Sequence, residues 1–82
     1  RRTASGERYD KNAYTAAHQR WPFGTRIRIM NLENGKSVVV KINDRGPRSK
    51  ERIIDVSRRA ARDLDFVRKG LTKVRLEVIE VP

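Results

Sequence analysis

Ser37-Val38-Val39-Val40-Lys41-Ile42-Asn43-Asp44-Arg45-Gly46-Pro47 is the stretch on which the reading of this chain turns. Its first six residues are β-branched and apolar enough for a strand buried on both faces. Its last five leave that strand through polar residues into a Gly-Pro loop. Just upstream, Asn34-Gly35 favours a tight hairpin, because a type I′ turn needs positive φ at both central positions. The hairpin's other arm is Thr25-Arg26-Ile27-Arg28-Ile29-Met30, where apolar and basic residues alternate as in a strand with one buried face. Downstream, Arg52–Val56 reads as a third short strand. Ser57 is a good N-cap for a short helix carrying Ala60, Ala61 and Leu64 on one stripe, and Gly70 breaks the chain after it. Lys73–Val81 is the longest alternating run, with Val74, Leu76 and Val78 on one face. Residues 1–24 are turn-rich, with room for a short strand around Tyr14 to His18. The expected architecture is mainly β: a small closed or nearly closed barrel of short strands with one or two short helices, since closure removes exposed edges.

Eighty-two residues allow one small domain, 1–82, burying about 60–65 % of its unfolded surface. No apolar run approaches the roughly 20 residues of a membrane span. With no cysteine, disulfides and thiol chemistry are excluded. Arg1 is not a natural start, so the chain reads as a fragment or processed form, and a missing signal peptide carries little weight. The net charge is +10, spread as +5 over residues 1–28, +2 over 29–56 and +3 over 57–82. Such a charge attracts polyanions: nucleic acid, anionic lipid or an acidic wall polymer. The five aromatics are not interleaved with basic runs as in single-strand binders, so a nucleic-acid partner is not expected.

Three residues stand out in turn-rich segments where packing does not obviously require them: Glu7, His18 (the only histidine) and Asp44. A carboxylate leaving a buried strand for a loop lies where concave sites form. Partial desolvation there would raise the Asp44 pKa and keep it protonated, as a general acid requires. The competing readings are ordinary ones. Asp44 can be a turn residue bonded to nearby backbone N–H groups, Glu7 a surface ion-pair partner among arginines, and His18 a structural histidine. A metal site built from the three is weak, because their spacing fits no ligand motif. There is no Gly-rich phosphate loop and no nucleophile elbow.

Thr3-Ala4-Ser5-Gly6-Glu7, Tyr14-Thr15-Ala16-Ala17-His18, Pro22-Phe23-Gly24-Thr25, Asn34-Gly35, Asn43-Asp44-Arg45-Gly46-Pro47 and Ile53-Ile54-Asp55-Val56-Ser57 together resemble, in order and spacing, the rare lipoprotein A family. The resemblance covers nearly the whole chain. It implies a six-stranded double-psi β-barrel, related to expansins. It also implies a bacterial cell-envelope protein, lipid-anchored to the outer membrane through a segment outside this chain. The activity implied is that of a peptidoglycan lytic transglycosylase, which needs no metal or organic cofactor. Carried over by position, the catalytic residues are Asp44 as general acid, with Glu7 and His18. Ser5, Thr15, Asn43 and Arg45 become supporting or sugar-contacting residues. A monomer is expected.

The family's usual opening strand ahead of Arg1-Arg2 is missing here, so the barrel is expected to fall one strand short. Tyr14 and Trp21 stand where leucine is common, and Arg48 where an aromatic is common. The expected reaction is cleavage between N-acetylmuramic acid and N-acetylglucosamine of peptide-poor strands, leaving 1,6-anhydro-muramic ends. The alternatives are an expansin-like module that binds glycan without cleaving it, a two-carboxylate hydrolase, and a basic nucleic-acid binder with steep salt dependence.

Overall fold

The computed structural model describes residues 1–70 and 72–82. Five strands and one helix follow in the order β1 (Thr15–Ala17), β2 (Arg26–Asn31), β3 (Ser37–Asp44), β4 (Asp55–Val56), α1 (Arg58–Asp63) and β5 (Val74–Glu80). They form one mixed sheet in the order β4-β1-β3-β2-β5. Among the described residues there are five strands, as expected for a barrel one strand short of six, and no ladder joins β4 to β5, so the sheet keeps two edges.

β3 lies at the centre. It pairs antiparallel with β2, Ile27 opposite Val40, and parallel with β1, Ala16 opposite Ile42. Burial along β3 alternates before it becomes continuous: Val40, Ile42 and Asn43 are buried, while Val39 is 38 % exposed. The strand is therefore covered on both faces only at its far end, where β1 and the N-terminal loop arrive. Ile27, Ile29, Val40 and Ile42 from the sheet meet Ala16, Ala60 and Leu64 in the buried core. Burying aliphatic side chains of this size contributes about 1.5–3 kcal/mol each.

Two local expectations need correction. The β2–β3 connection is not a two-residue type I′ turn. Leu32, Glu33, Asn34 and Gly35 all lie in it; the Gly35 N–H bonds the Asn31 carbonyl at 2.8 Å, and only Gly35 takes positive φ (77°). The reason lies in the asparagine side chains. Nδ2 of Asn31 and of Asn34 both donate to the Leu64 carbonyl, at 2.9 and 3.0 Å, which draws the loop onto the end of α1. Likewise, the expected strand over 52–56 shrinks to Asp55–Val56, because only these residues pair with β1, opposite Ala17 and Ala16.

Ser57 behaves as read. Its Oγ accepts from the Ala60 N–H at 3.3 Å and also donates to the Ala13 carbonyl at 2.5 Å. Ser57→Ala should thus cost about 1–2 kcal/mol, at the upper end for a cap because the half-buried Ala13 carbonyl loses its partner too. A lower urea midpoint at unchanged m-value would show it. Between the β4–α1 side and β5 lies a cavity of about 790 Å³, lined by Ile29, Ile54, Leu64, Phe66 and Val74 among others. None of the three chemistry-bearing residues borders it.

Candidate active site

The end of β3 gathers the residues that carry chemistry. Asp44 is the last residue of the strand and pairs with Ala17 of β1 after an irregularity in the register. The His18 N–H donates to the Asp44 carbonyl at 3.1 Å, which sets the start of the 18–23 segment beside the carboxylate's own residue. From the other side comes a tight N-terminal loop. The Thr3 N–H and Oγ1 both donate to the Glu7 carbonyl, at 2.8 and 2.9 Å, and Gly6 turns the chain with φ of 93°. This loop docks on β3 through the Ser5 N–H to the Asn43 carbonyl, 3.2 Å, and the Ala4 N–H to Asp44 Oδ1, 2.9 Å.

The two oxygens of Asp44 therefore differ. Oδ1 accepts from two backbone N–H groups, Ala4 and Arg45 (2.8 Å). Oδ2 meets only Arg1 Nη1, at 3.4 Å, from a side chain 66 % exposed. The Asp44 side chain is itself 18 % exposed. Its burial does push the pKa upward, as expected. The N–H bonds from Ala4 and Arg45, with the bond and charge of Arg1, outweigh that push and hold the carboxyl below its ordinary value. The sequence-based expectation of a protonated Asp44 is thus corrected: in the free protein it is ionised. Glu7 is also held low, chiefly by its bond to Lys41 Nζ at 3.0 Å, against a smaller desolvation and with help from Asn43 and Ser5.

His18 is shifted down by burial first and then by the positive charges of Arg45 and Arg20. Its ring stacks on Trp21 with centroids 3.8 Å apart and planes 14° from parallel. Arg45 lies over the Phe23 ring at 4.0 Å and donates to the Trp21 carbonyl at 2.8 Å. Its guanidinium is thus engaged with the protein. Thr15 and Asn43 are buried beneath this surface, and the Ser5 Oγ is bonded to Thr3 Oγ1 at 2.9 Å. Lys41 and Arg1, which set the charge of the two carboxylates, were not singled out in the sequence. Lys41 carried a signal, being a cation in an otherwise apolar strand; Arg1 carried none. Among the described residues no three His, Asp or Glu side chains converge as metal ligands.

Removing Arg1 should move Asp44 in a fixed direction. In Arg1→Gln the carboxyl loses a cation and a hydrogen bond, so its pKa rises toward the ordinary carboxylate value. A carboxyl held low stabilises the fold above its unfolded pKa and loses that contribution as pH falls through the folded value. The variant should therefore carry less of this stability at neutral pH and lose less of it on acidification, the two proteins converging at low pH. NMR titration of the Asp44 carboxyl carbon reads the shift directly.

Residues 1–76 match the double-psi β-barrel family described as lytic transglycolase. The chain belongs to the lytic transglycolase family. Its relatives carry the name anticipated from the motifs. It is 53 % identical over 79 residues to the endolytic peptidoglycan transglycosylase RlpA of Neisseria meningitidis, covering 96 % of this chain and 33 % of that protein. It is 48 % identical over 81 residues to the RlpA of Pasteurella multocida, covering 99 % of this chain and 28 % of the relative. The probable RlpA of Treponema pallidum is 55 % identical over 76 residues, 93 % of this chain and 24 % of the relative. The chain thus spans a quarter to a third of the length of these relatives. What it shares with the lytic transglycolase family is the whole stretch that builds the β3 terminus and both segments docked on it.

Proposed function

We propose that this domain cleaves the N-acetylmuramic acid–N-acetylglucosamine bond of peptidoglycan glycan strands, with Asp44 as the acid and then the base of a lytic transglycosylation in the cell envelope. The observation that carries the reading is the asymmetry of Asp44. Oδ1 is fixed by two backbone N–H groups, which sets the orientation of the carboxyl, while Oδ2 is held only by a long contact to an exposed arginine. A glycan covering the site displaces water and competes with Arg1 for Oδ2. Both changes favour the protonated form. The Asp44 carboxyl then gives its proton to the glycosidic oxygen as the C1–O bond breaks. The resulting carboxylate takes the proton of the muramoyl C6 hydroxyl as O6 bonds to C1. No water is consumed and the acid is restored. Glu7 stays ionised beside Lys41 and supports the positive charge that develops at the sugar ring. The basic surface matches a strand that still bears lactyl carboxylates after its peptides are removed.

One observation favours a second reading, a module that binds glycan without cutting it: Lys41 on Glu7, and the Ala4 and Arg45 N–H groups with Arg1 on Asp44, all favour the ionised form of the two carboxylates. Digestion of purified peptide-free glycan strands, with products read by mass spectrometry, separates the two. Anhydro-muramic ends support transglycosylation and reducing ends support hydrolysis; intact polymer that still retains the protein supports binding alone.

A further inference from the structure

We infer that His18 serves this site as a neutral hydrogen-bond donor, offering Nε2–H to an acceptor oxygen of the bound glycan and taking no part in proton transfer. The inference rests on the glycan-site reading above and adds the role of one ring. Nδ1 of His18 accepts two backbone N–H groups, Arg20 at 3.1 Å and Trp21 at 3.0 Å. A ring nitrogen that accepts must carry its lone pair, so the neutral ring bears its hydrogen on Nε2. Adding a proton at Nδ1 would set an N–H against two N–H donors. Flipping the ring would put a carbon where the acceptor now stands and leave both amides unpaired.

The turn that holds the ring is tied to the Asp44 end of β3 at two points. The His18 N–H donates to the Asp44 carbonyl at 3.1 Å. Arg45 Nη1 donates to the carbonyls of His18 and Trp21 at 3.3 and 2.8 Å, with its guanidinium resting on Phe23. Arg45 is therefore a positioning residue for His18. The charged groups around the ring are Arg20 and Arg45, both cations, and Asp44, whose side chain is taken up by Ala4, Arg45 and Arg1. Two cations disfavour a third charge on the imidazole. Among the described residues no protein acceptor meets Nε2, and the ring is only half-buried, so its N–H is free for a ligand.

His18 is the only histidine, so its two ring nitrogens can be read without assignment ambiguity. In the ¹⁵N-labelled full chain at neutral pH, long-range ¹H–¹⁵N spectra should show Nδ1 unprotonated and Nε2 protonated; this arm needs no glycan. The second arm compares two amides. His18→Asn keeps an acceptor near the Nδ1 position but loses the distal donor, whereas His18→Gln can place an N–H near Nε2. Gln should exceed Asn by roughly tenfold or more in glycan cleavage, with both variants folded. An Nδ1–H tautomer, a charged ring at pH 7, Asn cleaving as fast as the unsubstituted protein, or two equally inactive amides would each overturn the inference. If the unsubstituted protein cuts no glycan, the transglycosylase reading fails by itself. The same Gln-over-Asn ordering is then read in affinity for peptide-free glycan strands.

Discussion

Asp44→Asn should abolish glycan cleavage while leaving the domain folded. The asparagine Oδ1 can still accept from the Ala4 and Arg45 N–H groups, so the N-terminal loop stays docked on β3. What changes is Oδ2. An amide nitrogen there cannot release a proton to the glycosidic oxygen or take one from the C6 hydroxyl. Loss of a positioned acid or base typically costs 10²–10⁴-fold, and in the proposed reaction one residue fills both roles, so the upper part of that range is expected. The lost contact to Arg1 is long and exposed and is worth little to stability. Product formation on peptide-free strands and a thermal melt of the same sample read the two halves of the expectation. Full cleavage by the variant would transfer the acid role away from Asp44, with Glu7 the next candidate.

The largest effect on stability should come from Ile42→Ala. Ile42 is fully buried and sits at the crossing of three elements: it pairs with Ala16 of β1, its N–H donates to the Thr25 carbonyl at 2.8 Å, and its carbonyl accepts from the Gly24 N–H at 2.8 Å. Those backbone bonds hold the chain in place around the shortened side chain, so the space cannot readily collapse. The expected loss is about 2–5 kcal/mol, against a total of roughly 4–12 kcal/mol for a domain of this size. The melting temperature should fall by about 10–25 °C. Because Asn43 and Asp44 follow directly, cleavage should fall together with the folded fraction, not ahead of it. Activity lost at a temperature where the variant is still folded would show a further distortion of the β3 terminus.

The sequence made the strands legible where one principle dominated. Alternation alone identified β2 and β5, and the Ser57 hydroxyl marked the start of α1 within a residue. The errors arose where a distant partner outweighed a local preference. Asn34-Gly35 has the composition of a tight hairpin, but the Leu64 carbonyl, thirty residues away in sequence, recruits the asparagine amide into a longer loop. Arg52-Ile53-Ile54 has strand chemistry but lacks a neighbour, since β1 is only three residues long. For the site, residue types and positions pointed to Glu7, His18 and Asp44, and the fold brings all three segments to one end of β3. Their charge states were not legible. These depend on two backbone N–H groups and on Arg1 and Lys41, which reach the carboxylates only after the chain has folded.

The docking of the 3–7 loop on β3 also bears on how the protein is made. Ala4 and Asp44 are forty residues apart in sequence, and His18 and Asp44 twenty-six, whereas the β2–β3 hairpin closes across a few residues. Closing long loops carries an entropic cost that contacts offset only once they form, so the hairpin is the early event and the parallel pairing and N-terminal loop come late. The end of β3 that gathers Glu7, His18 and Asp44 is therefore assembled in the final steps of folding, and a chain that has folded only part-way holds the Asp44 carboxyl without the N–H groups that orient it.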